Sequence, residues 1–119
     1  MTELRWDAMV IDCRDPESLA VFWAALLDVE VRGRWHQYIG LQSTAPDLPR
    51  LVFQRVDDPH PAKTSAHLDF HVPSVADLPG AVNRAVSLGA RLIEEQEQDG
   101  QSWRVLADPD GNLFCLVAG

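Results

Sequence analysis

Residues 67–72, HLDFHV, set two imidazoles and a carboxylate at alternate positions: His67, Asp69 and His71. A period of two is the strand period, so these three share one face and Leu68, Phe70 and Val72 share the other. The apolar face must pack on a helix, which turns the polar face toward a cleft or solvent. A second run, AMVIDC at 8–13, has Ala8, Val10 and Asp12 on its matching face. Imidazole and carboxylate side by side can ligate a divalent cation, move a proton or hold a polar ligand. Four strand residues separate His67 from His71, about 13 Å, so the two cannot share one ion.

The cysteines and aromatics extend the candidate set. Cys13 ends a strand-like run and reads as a buried small hydrophobe. Cys115 reads either as an inert buried thiol or as a ligand or reactive group; a thiolate there needs a nearby cation, which only His67 can supply. Trp35, Tyr38 and Trp103 fall on later strands, where they are either aromatic walls suited to a flat organic ligand or residues of the core or a dimer contact. Trp23 lies on a helical apolar stripe and belongs to the core. His36, His60, Asp57, Asp58, Glu94, Glu95 and Glu97 read as solvated surface. The sequence has no glycine-rich phosphate loop, CxxC pair, HExxH helix or nucleophile elbow.

Charge narrows the partners. The 119 residues carry a formal net charge of −8 and contain no basic run, which argues against nucleic acid and against anionic membrane surfaces. No apolar stretch approaches the roughly 20 residues of a membrane span. Residues 1–7 lack the basic-then-apolar profile of a signal peptide. A cytoplasmic location with reduced cysteines is therefore expected. With 46% apolar residues the chain has material for a core without staples.

These residues need elements to position them. The run 8–13 is a strand, followed by Asp15-Pro16, a capping carboxylate and a first-turn proline. Leu19, Phe22, Trp23, Leu26 and Leu27 then recur at helical spacing and predict a helix over 16–28. Strands are expected over 30–34, 37–42 and 51–56, then a polar, proline-rich connector. The order repeats: a strand over 67–72, a helix capped by Ser74 or Asp77 and stopped by Gly89, and strands over 91–95, 102–107 and 113–117. Asp108-Pro109-Asp110-Gly111-Asn112 has hairpin turn chemistry. A shift of 59 residues superposes Ala8 on His67 and Leu19 on Leu78; a shift of 61 superposes Gln54 on Cys115. The expected fold is α+β, two tandem βαβββ modules within one domain, with module 1 at 5–57, a connector at 58–65 and module 2 at 66–119.

Three stretches, VIDCRDPESLAVFWAALL, HLDFHVPSVADLPGAVNRAVSLGARLI and above all VLADPDGNLFCLV, resemble the vicinal oxygen chelate superfamily, the glyoxalase and bleomycin-resistance proteins. The resemblance spans nearly the whole chain. It implies two modules whose curled sheets enclose one cleft, often within a homodimer. It also implies a metal site with one ligand on the first and one on the last strand of each module. Those positions here are Ala8, Gln54, His67 and Cys115. Ala8 cannot ligate, and Cys115 stands where the family usually has glutamate. A mononuclear site would thus combine His67 with Gln54, Cys115 or Asp69.

Two functions follow from this reading. One is a metal-free protein that binds a small organic molecule in the cleft, using Asp12, Gln54, His67, Asp69, His71, Trp35, Trp103 and Cys115; the acidic charge and aromatic residues point to a cationic or aromatic ligand. The other is a metal-dependent lyase, isomerase or dioxygenase that chelates vicinal substrate oxygens on a divalent Zn, Ni, Mn or Fe ion.

Overall fold

A computed structural model of the chain describes residues 6–57 and 67–118. The connector, with Asp58 and His60, lies outside them. The chain divides within that connector into two compact units, 1–61 and 62–119. Each is a four-stranded mixed sheet with one α-helix, and the element order of the first is repeated in the second.

In module 1, strand β1 is Ala8–Cys13, helix α1 is Pro16–Leu27, and strands β2, β3 and β4 are Val31–Trp35, Tyr38–Leu41 and Arg50–Arg55. The sheet order is β1-β4-β3-β2, with β1 parallel to β4 and the other pairs antiparallel. Helix α1 starts where the sequence dictates. The Asp15 carboxylate accepts from the Ser18 N–H at 3.2 Å, and Pro16 occupies the first turn, where its missing N–H costs nothing. Asp28 ends the helix in the left-handed conformation. The stripe Leu19, Phe22 and Trp23 packs against β3 and β4, and with Ile39, Leu41 and Phe53 it forms a closed core.

In module 2, strand β5 is Leu68–His71, helix α2 is Leu78–Leu88, and strands β6, β7 and β8 are Arg91–Gln98, Gln101–Ala107 and Leu113–Ala118. The order is β5-β8-β7-β6, with β5 parallel to β8. Neither expected cap closes α2 directly. Ser74 instead begins a single 3-10 turn, Val75–Asp77, and its hydroxyl donates to the Asp77 carboxylate at 2.8 Å. Pro79 and Gly80 then sit in the first helical turn, where proline is tolerated. Gly89 takes φ 124 as the C-cap, as expected. Leu78, Val82 and Ala85 are buried with Leu106, Phe114 and Leu116, whereas Val86, placed on the apolar stripe by its spacing, is exposed.

Two turns set the outer strands. β6 and β7 run longer than their apolar content indicates, because Asp99 and Gly100 both take positive φ and close a two-residue hairpin. An Asp-Gly pair does this readily, and the strand pairing continues through the polar residues beside it. Between β7 and β8, the buried Asp108 organises the turn. Its Oδ1 accepts from the N–H of Asp110 and of Asn112, both at 2.9 Å, and Asn112 Nδ2 donates to Oδ2 at 3.0 Å. Gly111 supplies the positive φ. Replacing Asp108 by Ala strands these donors and should destabilise the protein by about 3 kcal/mol. Thermal unfolding should show this as a fall in Tm of about 10 °C. An unchanged Tm would mean the turn is held by its backbone alone.

Candidate functional site

Each helix covers one face of its sheet, and the candidate residues lie on the other. Residues paired across a ladder share a face, so strand register converts the sequence into rows of side chains.

In module 2 one row runs Asp69, Cys115, Val105, Glu94 across β5, β8, β7 and β6. The next row runs His71, Val117, Trp103, Gln96. His67 lies two residues before Asp69 on the same face, and its Nε2 is 3.1 Å from Asp69 Oδ1. One donor atom each from His67, Asp69 and Cys115 lies within 4.8 Å of the others. Of the combinations the sequence allowed for His67, the parallel β5–β8 ladder brings together those with Asp69 and Cys115. His71 and Trp103 stand one row on.

Asp69 is the hub of this cluster. It meets the His67 ring on one side, and the Cys115 thiol donates to its carboxylate on the other. Cys115 is only 8% exposed. Burial pushes its thiol up to about 11, with the Asp69 charge, the hydrogen bond to Asp69 and the Glu94 charge adding in the same direction. The thiol is thus protonated near neutral pH. Glu94 is exposed, as its reading as a solvated acid expects, and the ladder also puts it in Cys115's own row. The β6–β7 register, irregular between Leu92 and Glu94, fixes that position, and no local signal in the sequence reveals it.

In module 1 one row runs Asp12, Gln54, Tyr38, Trp35 across β1, β4, β3 and β2, joining three of the expected site residues. The row before it runs Val10, Val52, Gly40, Gly33. Gln54 stands beside Asp12, four residues past Ala8, whereas Cys115 stands beside Asp69, two past His67. The two modules are therefore not equivalent at these positions. Ala8 pairs with Arg50 and brings no ligand atom. Cys13 is fully buried on the helix side, its Sγ 3.7 Å from the Gln54 carbonyl oxygen.

The profile of the family described as "Glyoxalase-like domain" matches residues 8–117. The chain belongs to the glyoxalase-like domain family, within the vicinal oxygen chelate superfamily. No curated protein matches it. Solved structures share its fold. A glyoxalase/bleomycin resistance protein/dioxygenase family enzyme from Burkholderia phytofirmans PsJN aligns with TM-score 0.79 at 20% identity, covering 97% of this chain and 98% of that one. The fosfomycin resistance protein FosX from Mesorhizobium loti aligns with TM-score 0.73 at 17% identity, covering 100% and 94%. A FosX mutant from Listeria monocytogenes, in complex with Mn(II) and 1S,2S-dihydroxypropylphosphonic acid, aligns with TM-score 0.74 at 17% identity, covering 100% and 91%. At these identities the likeness is one of fold. The two-module α+β architecture expected from the sequence is that of this glyoxalase-like domain.

A thiol held protonated by burial and a facing carboxylate should react slowly with iodoacetamide at about pH 8, in a Cys13→Ser background. Asp69→Asn removes the charge but leaves the burial. It should speed alkylation several-fold and shift the midpoint of the pH–rate profile down toward the ordinary thiol value. The linkage has a definite sign. A thiol raised in the folded state stabilises the fold below the ordinary value of 9.0, and this is lost as pH rises through about 11. An alkylation profile with its midpoint at an ordinary thiol value would contradict this geometry.

Proposed function

We propose that this glyoxalase-like domain binds a small organic molecule on the open face of the module 2 sheet, beside a divalent cation held by His67, Asp69 and Cys115. The observation that carries the reading is the meeting of an imidazole nitrogen, a carboxylate oxygen and a thiol sulfur within 4.8 Å. The donor chemistry fits. Nitrogen, oxygen and sulfur together suit a borderline ion such as zinc, with metal–donor bonds of about 2.0–2.3 Å, and a modest closing of the three side chains meets that need. Three protein donors, with the remaining coordination left to water or ligand, is the composition of a catalytic zinc centre rather than a closed structural one. The relative from Listeria, whose structure holds Mn(II), supports a cation on this fold.

A bound cation of this kind supplies Lewis acidity, polarising a carbonyl or stabilising an enolate on adjacent substrate oxygens. The chain's own residues do the rest. Asp69 orients the His67 ring through their 3.1 Å contact. Cys115, whose thiol donates to Asp69, would hold the ion as a thiolate and would give up that proton to do so. Trp103, Val105 and Val117, all half-buried on the same face, offer an apolar wall for the organic part of a ligand. Glu94 adds negative charge to the Cys115 row.

A second reading, small-molecule binding without a metal, draws on the same protonated thiol. A cluster satisfied by its own protons can present His67, Asp69 and His71 directly to a ligand, and the two exposed imidazoles and one exposed carboxylate suit a polar or cationic group.

Metal titration separates the two. Protein purified without a histidine tag should bind close to one equivalent of Zn(II). Co(II) should give the near-ultraviolet charge-transfer band of a thiolate ligand. Because one thiol proton is displaced, affinity should rise about tenfold per pH unit between roughly pH 6 and 8. Cys115→Ser should abolish the band, and His67→Ala should weaken binding by at least about tenfold. Less than about a tenth of an equivalent, with no gain on adding Zn, Ni, Mn or Fe(II), removes the metal reading and leaves the second.

A further inference from the structure

The open face of the module 1 sheet is built differently, from glycine, aromatic rings and arginine. Its Val10, Val52, Gly40, Gly33 row loses its side chains halfway across, because Gly40 and Gly33 pair on adjacent strands. The result is a trough of about 350 Å³ running over bare backbone. That volume is at the small end of organic-ligand sites. A Cβ built on Gly33 would meet nothing within 4 Å, so this end of the floor is open space rather than a packing contact.

The walls differ in chemistry. On one side the following row presents Tyr38 and Trp35, their rings 6.0 Å apart and inclined by only 17°. Trp35 is 68% exposed, a large apolar surface left against the trough. On the other side Arg50 reaches across the sheet. Its Nη1 would lie 3.1 Å from a Cβ on Gly40, so the absence of that side chain lets the guanidinium lie over the floor. Its Nε approaches the Asp7 carboxylate only to 3.9 Å, a loose contact between exposed groups. Arg32 stands at the same trough.

We propose that this trough binds a planar aromatic carboxylate. The ring lies on the glycine floor against Tyr38 and Trp35, where flat faces gain most from stacking. The carboxylate takes the fork of Arg50, whose two-pronged geometry matches it. Arg32 is already paired with Glu30 at 3.3 Å, so the loosely held Arg50 sets the sign of charge this trough accepts. It is opposite to the cationic ligand expected from overall charge, because the local groups rather than the net charge of −8 decide it. The inference uses module 1 residues alone and does not rest on the metal centre.

Isothermal titration with 2-naphthoate, 2-naphthylmethylammonium and cyclohexanecarboxylate tests it. 2-Naphthoate should bind, and the ammonium and the non-aromatic acid should each bind at least about tenfold more weakly. Arg50→Gln and Trp35→Ala should each weaken 2-naphthoate binding about tenfold. Gly33→Leu should abolish binding while leaving Tm unchanged or raised, since its side chain fills open space on a strand. Cys115→Ser and added EDTA should change nothing. Absence of 2-naphthoate binding, equal binding of acid and ammonium, or retained binding in Gly33→Leu overturns the proposal. Binding that survives Gly33→Leu but is lost in Cys115→Ser overturns it in favour of the module 2 face and leaves the metal reading standing.

Discussion

The parallel pairing of the first strand of each module with its last is the constraint on which the rest depends. A parallel pair cannot be closed by a tight turn, so the intervening helix and two strands must wrap around before the last strand returns. In module 2 that return sets Asp69 beside Cys115, 46 residues later, and brings His67 to the same spot. Sliding one strand by a single residue would turn the thiol to the helix-packed face. The turn centred on Asp108 delivers β8 in register, which gives a physical role to the most family-specific phrase of the sequence.

Within the module 2 cluster, charge and burial act together on the Cys115 thiol. Cys115 is buried enough to keep its proton, and it meets Asp69 through that proton. A cation that took the proton's place would relieve the charge that holds the thiol up.

Repetition of the fold has not preserved the site. Both modules have the same sheet order and the same helix placement, with closed cores at Phe53 and Phe114. Their open faces diverge because the solvent side of a sheet is free of packing demands. One carries imidazole, carboxylate and thiol; the other carries glycine, aromatic rings and arginine.

The sequence by itself determined the element order, the duplication, the α1 cap, the Gly89 stop and the strand faces, since all of these follow from local periodicity and backbone chemistry. It told which side of HLDFHV is polar, and it placed Cys115 on the final strand. The polar run around the Asp-Gly hairpin at 99–100 hid the full length of β6 and β7. Only the tertiary structure decided which partner His67 meets, that Glu94 shares a row with Cys115, that Gln54 sits beside Asp12, and that Gly33 and Gly40 line up into a floor. Those are matters of register between strands distant in the chain. Register is fixed by the summed packing of a whole sheet on its helix, and no short stretch of residues carries that information.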